Sequence, residues 1–453
     1  MSLRVNLFRQ ALLPLATVLS LFVGCSTSTT PTVGSLTVVR PGAGDSIISG
    51  TQSYQIVWTG TGLAKHKNLD YSLDAGVSWK LIGSMDSDLT SYWWNVPDTG
   101  SMNAVVRVTD NNGITGKSGV FSIKLVRPAK PQYTLTPIAS DLAGIGKLDP
   151  NLKNPWGVSF DATQTLLVVG VNHSSTATFY DSLGNLAGVS LPIPSPSSTS
   201  SGGAPSGVVQ TSVFTIPNRG LSAFVFVGED GIVSAWGNAM GISPAFVVAD
   251  RHLTSVFKGA AVQGNFLYVA NFYAGTIDVF DKNFNFKASF PDNFGSLGYA
   301  PFNIASIDGK LYVASARPKR PAADGSVDDS AGAGIGDVAV YIADNTTGAL
   351  TYSSTFASGG TLNSPWAIIK APGSFGQYAN DILVGNFGDG RINVFDGTGK
   401  SLGQLNDASN APITIPGLWG LVVPPSGNAG KIYFTAGTNK EADGTIGFIQ
   451  LKQ

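Results

Sequence analysis

Between Ser35 and Lys124 the chain alternates short apolar runs with turn residues: Leu36 to Val39, Tyr54 to Trp58, Leu69 to Leu73, Trp79 to Ile82, Tyr92 to Val96, Val105 to Thr109 and Val120 to Ile123. Runs this short, separated by Gly, Asp and Asn, predict strands rather than helices. Strands at that spacing over about ninety residues predict a two-sheet sandwich. Within it, Ser72-Leu73-Asp74-Ala75-Gly76-Val77-Ser78-Trp79 reads as a hairpin device. The Asp oxygens accept turn amides, Gly supplies a backbone angle other residues avoid, and Trp packs beneath.

Beyond Tyr133 one pattern recurs. Its entry segments are Pro155-Trp156-Gly157-Val158, Pro205-Ser206-Gly207-Val208, Phe257-Lys258-Gly259-Ala260, Pro301-Phe302-Asn303-Ile304, Pro365-Trp366-Ala367-Ile368 and Leu418-Trp419-Gly420-Leu421. Each precedes an apolar strand, then a turn into another strand, as in Leu267 to Asn271 followed by Gly275 to Asp281. The third positions, 157, 207, 259, 303, 367 and 420, lie 50, 52, 44, 64 and 53 residues apart. Six units of this size predict a six-bladed β-propeller of four-stranded blades. The last unit is one strand short, and Tyr133 to Ile138 is the segment free to complete it, which would hide two open sheet edges.

Composition sharpens this picture. Charged residues are 13% of the chain and Gly numbers 55 of 453, which suits many strands joined by tight turns. A net charge of -1 supplies no basic surface, so nucleic acid is not an expected partner. One Cys excludes a disulfide scaffold, and three His disfavour a His-rich metal centre. There is no G-x-S-x-G elbow, P-loop or dinucleotide fingerprint.

The single Cys has a different use. Arg4 and Arg9 precede the apolar run Ala11 to Val23, and Gly24 stands directly before Cys25. That order is a signal peptide, residues 1–24. Phe22-Val23-Gly24-Cys25 resembles the lipobox of bacterial lipoproteins, which implies a diacylglycerylated Cys25; the Ser/Thr-rich stretch at 25–34 reads as a tether, and Ser26 resembles the sorting choice for the outer membrane of the cell envelope.

The segment from Ser72 to Trp79, followed by Tyr92-Trp93-Trp94-Asn95-Val96-Pro97, makes 35–124 similar to the immunoglobulin-like module of fungal cell-wall synthesis and bacterial surface proteins, where it is a spacer or adhesion module. Residues 133–453 resemble a family of secreted bacterial β-propeller proteins, many with a PEP-CTERM sorting tail. The resemblance rests on Asn154-Pro155-Trp156-Gly157, on Asn271-Phe272-Tyr273-Ala274-Gly275, on Gly385-Asn386-Phe387-Gly388-Asp389-Gly390 and on Gly417-Leu418-Trp419-Gly420. It implies a fold and secretion, and no particular reaction. The expected architecture is all-β: an immunoglobulin-like β-sandwich at 35–126, a Pro-rich linker at 127–131, and a six-bladed β-propeller at 132–453.

Propeller ligands meet one end of the central channel. The repeat places Trp156, Lys258, Phe302, Trp366 and Trp419 at the strand entries there, and Glu229, Asn271 and Asn386 at the ends of the following strands. Aromatic faces with amides suit a glycan or a small apolar ligand, and a surface protein is a further partner class. The plainer reading is that each indole packs blades together and each Asn caps a turn. Six-bladed propellers similar to gluconolactonases hold calcium near the axis through Glu, Asn and Asp, and on that resemblance Glu229, Asn271 and Asn386 are candidate calcium ligands for a lactone, ester or glycan hydrolase or lyase. His173 is a candidate base against a solvated turn histidine, and the insertion from Ala316 to Gly336, with Asp324, Asp328 and Asp329, is a candidate lid or cation loop against a solvated loop.

Cys25→Ser is expected to move the protein from the membrane to the soluble fraction, since stable anchoring needs the acyl chains that this thiol would carry. Membrane fractionation with intact-mass analysis of the wild type checks it.

Overall fold

The computed structural model describes residues 34–97, 99–124, 131–319, 327–424 and 430–452; the signal segment, Cys25 and most of the linker lie outside the described residues. The chain divides into two compact units, Met1–Pro128 and Ala129–Gln453.

In the first unit one sheet joins Ser35–Arg40, Tyr54–Thr61 and Ser91–Trp94. The other is built on Ser101–Asp110 and His66–Ser72, flanked by Phe121–Lys124 and Lys80–Asp86. Alternating residues point inward, so that Leu36, Val38, Ile56, Trp58 and Trp94 of one sheet share a core with Leu69, Val106, Val108 and Phe121 of the other. The Asp74 hairpin forms as its sequence predicts. Its Oδ1 accepts from the Ser78 amide at 2.8 Å, Gly76 takes φ +91°, and Trp79 Nε1 donates back to the Gly76 carbonyl at 2.9 Å.

The second unit is a ring of six sheets, five of four strands and a sixth to which the short strand Lys147–Leu148 adds a fifth. The innermost strands are Pro155–Phe160, Pro205–Gln210, Phe257–Gln263, Ala300–Ile307, Pro365–Lys370 and Leu418–Val422. Each lies against the next, and the last returns to the first. The sixth blade is completed by Tyr133–Ser140, which pairs antiparallel with Thr445–Leu451 from Tyr133 opposite Leu451 to Ser140 opposite Thr445. The chain therefore closes its own ring, and the Tyr133 ring stacks on Phe375 at 4.5 Å between centroids.

Every innermost strand slips register at the same place. The shift falls between Pro155 and Val158, Pro205 and Gly207, Phe257 and Gly259, Pro301 and Asn303, Pro365 and Ala367, and Leu418 and Leu421. A bulge there re-aims the second residue of the entry segment. The third residue is small because the strands crowd the axis: a Cβ on Gly157 would lie 2.6 Å from the Val208 amide nitrogen, and one on Gly207 would lie 2.7 Å from a Val227 methyl. Blade 4 has Asn303 instead, and its side-chain oxygen fills the space left by Gly259 while its Nδ2 donates to the Trp366 carbonyl at 2.9 Å.

Gly259→Ala is expected to cost about 1–3 kcal/mol, because the added methyl would collide with the Asn303 amide in a packed core; denaturant melts of the propeller unit measure it. Acid sensitivity should come from the outer hairpins. Asp396 and Asp407 are held below the usual carboxylate range by the hydroxyls of Thr398 and Ser409 and by turn amides. In Asp161, Asp181 and Asp281 burial pushes upward, but the side-chain and turn-amide donors outweigh it. Depressed carboxyls stabilise the fold above their unfolded value and lose that contribution as pH falls through the folded value. Melting temperature should therefore drop steeply below about pH 4, as a pH series of thermal melts would show.

Candidate ligand site at the propeller mouth

The bulges bring the second-position side chains of five blades to one place. Trp156 stacks on Trp419 at 3.5 Å, Trp366 meets both edge-on at 6.5 and 5.9 Å, and Phe302 lies 5.9 Å from Trp419. Phe387 stacks on Trp419 from another side at 3.8 Å. The expectation of an open aromatic mouth needs correction here. Trp156, Trp366 and Trp419 are only 2, 4 and 2% exposed, and Phe302 is fully buried. Their rings pack on one another rather than between blades, because six converging entries leave less width at the axis than the rings occupy. They form a plug. Beneath it is an axial cavity of about 110 Å3 lined by Gly157, Gly207, Ala260, Asn303, Trp366 and Gly420.

Lys258 is the charged member of this set. Its Nζ lies 5.0 Å from the Trp156 ring centroid, 5.7 Å from Phe272 and 5.9 Å from Phe302, and it is ion-paired to Glu229 Oε1. Aromatic faces attract an ammonium, but a buried charge still needs a counter-ion. Glu229 supplies it and accepts from Asn172 Nδ2 through Oε2 at 2.9 Å. The Glu229 side chain stays 28% exposed, so the pair reaches the surface of the mouth.

Glu441 joins Glu229 there. Its Oε2 accepts from Asn154 Nδ2 at 2.7 Å, and Asn154 Oδ1 accepts from the Trp419 indole at 3.2 Å. Burial pushes the Glu441 carboxyl up, Asn154 and Lys258 pull it down, and the charges of Glu229 and Asp328 raise it further. Beside Glu229, Asp230 is raised to about 6, chiefly by burial. Glu441 sits on an unusual backbone: Asn439, Lys440 and Glu441 all take left-handed angles, φ +52, +54 and +68°. Such runs of non-glycine residues persist only where surrounding contacts hold them.

The described part of the blade 4 insertion folds back on itself. Lys319 donates to the Asp328 carbonyl and Ser330 to the Arg317 carbonyl, both at 2.7 Å. Burial raises the Asp329 carboxyl, opposed by Ser364 and by the charge of Lys258. Asp329 Oδ2 and Trp156 Nε1 are buried without a hydrogen-bond partner among the described residues. His173 is exposed, with Nε2 3.3 Å from Asn154 Nδ2.

The expected calcium ligands are not brought together. Asn271 donates to Ser255 Oγ at 2.9 Å and Asp278 Oδ2 at 3.1 Å and accepts from the Ala274 amide, while Asn386 donates to the Thr361 carbonyl and Asp389 at 2.9 Å and accepts from Asn363 and Asn393. Both are buried turn caps, and Glu229 is committed to Lys258 and Asn172. Those three residues do not fit a common ion. Among the described residues no three His, Cys, Asp or Glu side chains converge as a metal would require. Glu441, Asn154 and Asn172 escape the sequence reading because none occupies the repeat's entry position; the only trace is Asn154 immediately before Pro-Trp-Gly.

No family model matches the chain. Among solved structures, a protein of unknown function from Bacteroides thetaiotaomicron is 10% identical with a TM-score of 0.44, covering 93% of this chain and 99% of that one. A calcium-binding protein, regucalcin, from Agrobacterium tumefaciens is 11% identical with a TM-score of 0.44, covering 72% and 98%. Likeness at this level carries nothing to the site. In sequence the chain is 35% identical over 319 residues to Uncharacterized protein R648 of Acanthamoeba polyphaga mimivirus, covering 66% of this chain and 76% of that protein. It is 33% identical over 317 residues to Uncharacterized protein L690 of the same virus, covering 66% and 81%. Both of these relatives are viral proteins. At this identity and coverage, the chain belongs to one β-propeller family with the mimivirus proteins R648 and L690.

Proposed function

We propose that the propeller is a binding module for a polyhydroxylated ligand, a glycan, received at the rim formed by Glu229, Glu441, Asp328 and His173. The observation that carries this reading is the polar rim itself: Glu229, still 28% exposed, with the Glu441 carboxyl and the His173 imidazole that Asn154 joins. Sugar hydroxyls donate and accept at once, which suits a rim of carboxylates, an amide and an imidazole. The indoles contribute by fixing the rim rather than by stacking on the sugar. Around this module the reading keeps a lipid-anchored protein of the cell envelope, held at the outer membrane through Cys25, with the immunoglobulin-like sandwich as spacer.

A glycan array on the chain lacking residues 1–24, followed by titration of the best ligand, tests the reading. Glu441→Gln is expected to weaken binding roughly 10- to 100-fold, the range for a hydrogen bond to a charged group, with melting temperature nearly unchanged. Absence of any glycan ligand, or a titration indifferent to Glu441, defeats it.

A second reading, a hydrolase or lyase acting on a glycan, ester or lactone, is favoured by one observation: a carboxyl with a raised affinity for its proton, Glu441, stands beside an ion-paired carboxylate, Glu229. Such a contrast separates a proton donor from an acceptor. Turnover of a lactone and glycan panel, lost in Glu441→Gln while binding is retained, would move the protein to this class.

A further inference from the structure

The second sheet of the first unit carries an ordered polar face. Strand alternation sends Leu69, Val106 and Val108 into the core, so Asn68, Asp70, Arg107 and Thr109 take the outer side. The short strand Thr115–Lys117 extends both rows: Arg107 is paired with Asp70 on one side and Lys117 on the other, and Thr109 with Asn68 and Thr115. One row is therefore charged, and the next is neutral and hydrogen-bonding. With Leu81, which stands opposite Asp70, the two rows line a cleft of about 630 Å3.

The charged row does not neutralise itself. Asp70 Oδ2 accepts from Arg107 Nε at 3.2 Å and from Nη2 at 2.8 Å, and Nη1 takes no part in that pair. Lys117 is exposed and joins no ion pair among the described residues. Like charges directly opposite each other on a sheet repel. The Asp74 hairpin eases this by setting Trp79 against both cations, with its ring centroid 4.2 Å from the Arg107 guanidinium and 5.4 Å from Lys117 Nζ. An indole face attracts cations without bringing a negative charge, so two cations and one carboxylate leave the cleft with an excess of one positive charge.

We infer that this cleft binds an acidic polysaccharide, taking the carboxylate of a uronic acid unit between Arg107 and Lys117. The two oxygens of a carboxylate accept from a guanidinium nitrogen and an ammonium together, and so separate the like charges. Asn68, Thr109 and Thr115 offer the adjacent donors and acceptors that ring hydroxyls need, and Leu81, 66% exposed, offers an apolar face to the ring. A bare anion would use only the first row, and a neutral sugar only the second. The site belongs to the first unit and stands whether or not the propeller mouth binds a glycan.

Oligogalacturonate is the probe, titrated into the full chain by calorimetry at low salt, with a neutral oligosaccharide of equal length and inorganic polyphosphate as comparisons. Saturable binding of oligogalacturonate is expected, weakening as salt rises, with no binding of the neutral sugar at the same concentrations. Lys117→Gln should weaken it roughly tenfold, the low end for a hydrogen bond to a charged group, without lowering the melting temperature, because the substitution also removes a repulsion. Lys282→Gln, the same loss of charge at an exposed position of the second unit, should leave affinity as it is. The inference is overturned by absence of oligogalacturonate binding, by an affinity indifferent to Lys117→Gln, or by an equal loss in Lys282→Gln. Polyphosphate bound as tightly as oligogalacturonate overturns it too, since the second row would then recognise nothing.

Discussion

Axial crowding is the constraint on which the propeller unit depends. Six strands that each begin at the axis cannot all keep side chains there, so every entry bulges at its second residue and carries Gly, Ala or Asn at its third. The bulge turns the second side chains toward one another, and the small third residues let the backbones approach. The ring, the plug and the narrow cavity below it are three consequences of that one geometry. They explain why four of the six entries pair an aromatic second residue with a compact third one: the third makes room and the aromatic ring fills what room remains on the axis.

Placing a lysine in that set dictates the chemistry above it. An ammonium among Trp156, Phe272 and Phe302 is tolerable only with a carboxylate at hand, and Glu229 from blade 2 reaches it. Lys258 also holds the plug, since its carbonyl accepts from the Trp366 indole at 3.0 Å. One residue thus fixes the aromatic packing through its backbone and the rim charge through its side chain. Glu441, tied to Trp419 through Asn154, repeats the connection on the other side of the stack. Rim and plug are thus joined directly, by an ion pair on one side and by hydrogen bonds on the other.

The blades, their number and the strand that closes the ring were legible because each follows from a repeated local pattern and a missing edge. The entry residues were also legible as a set; their depth was not. A repeat shows which side chains converge, whereas the width of the space they converge on depends on bulge geometry and on small residues from neighbouring blades. Asn271 and Asn386 stayed open between metal ligand and turn cap for a related reason. Amides suit metals and turns equally, and only the positions of Ser255, Asp278, Thr361 and Asp389 show that both are spent on turns. Glu441 leaves no trace in the pattern, because it is positioned by three successive left-handed residues that no composition rule foretells.

Blade 4 departs from the pattern where its neighbours compensate, and the two departures differ in kind. Asn303 at a position of small residues is accommodated, because Gly259 leaves the space its amide fills and Trp366 offers a carbonyl to its nitrogen. Both changes fit within the protein's own atoms. Ser315 at a position held by Asn in two other blades removes volume and leaves one hydroxyl, which serves Asp292, in place of two amide donors. A steric vacancy can be closed by a neighbouring side chain, whereas a buried acid is accommodated by the donors that reach it, as Ser315 reaches Asp292 and Ser358 reaches Asp337. The insertion that follows Ser315 brings Arg317 close and then carries Asp328 and Asp329 to the mouth, adding acceptors on the same face. The blade that buries Asp292 and Asp337 beside its strands is also the one that supplies the rim with its extra carboxylates.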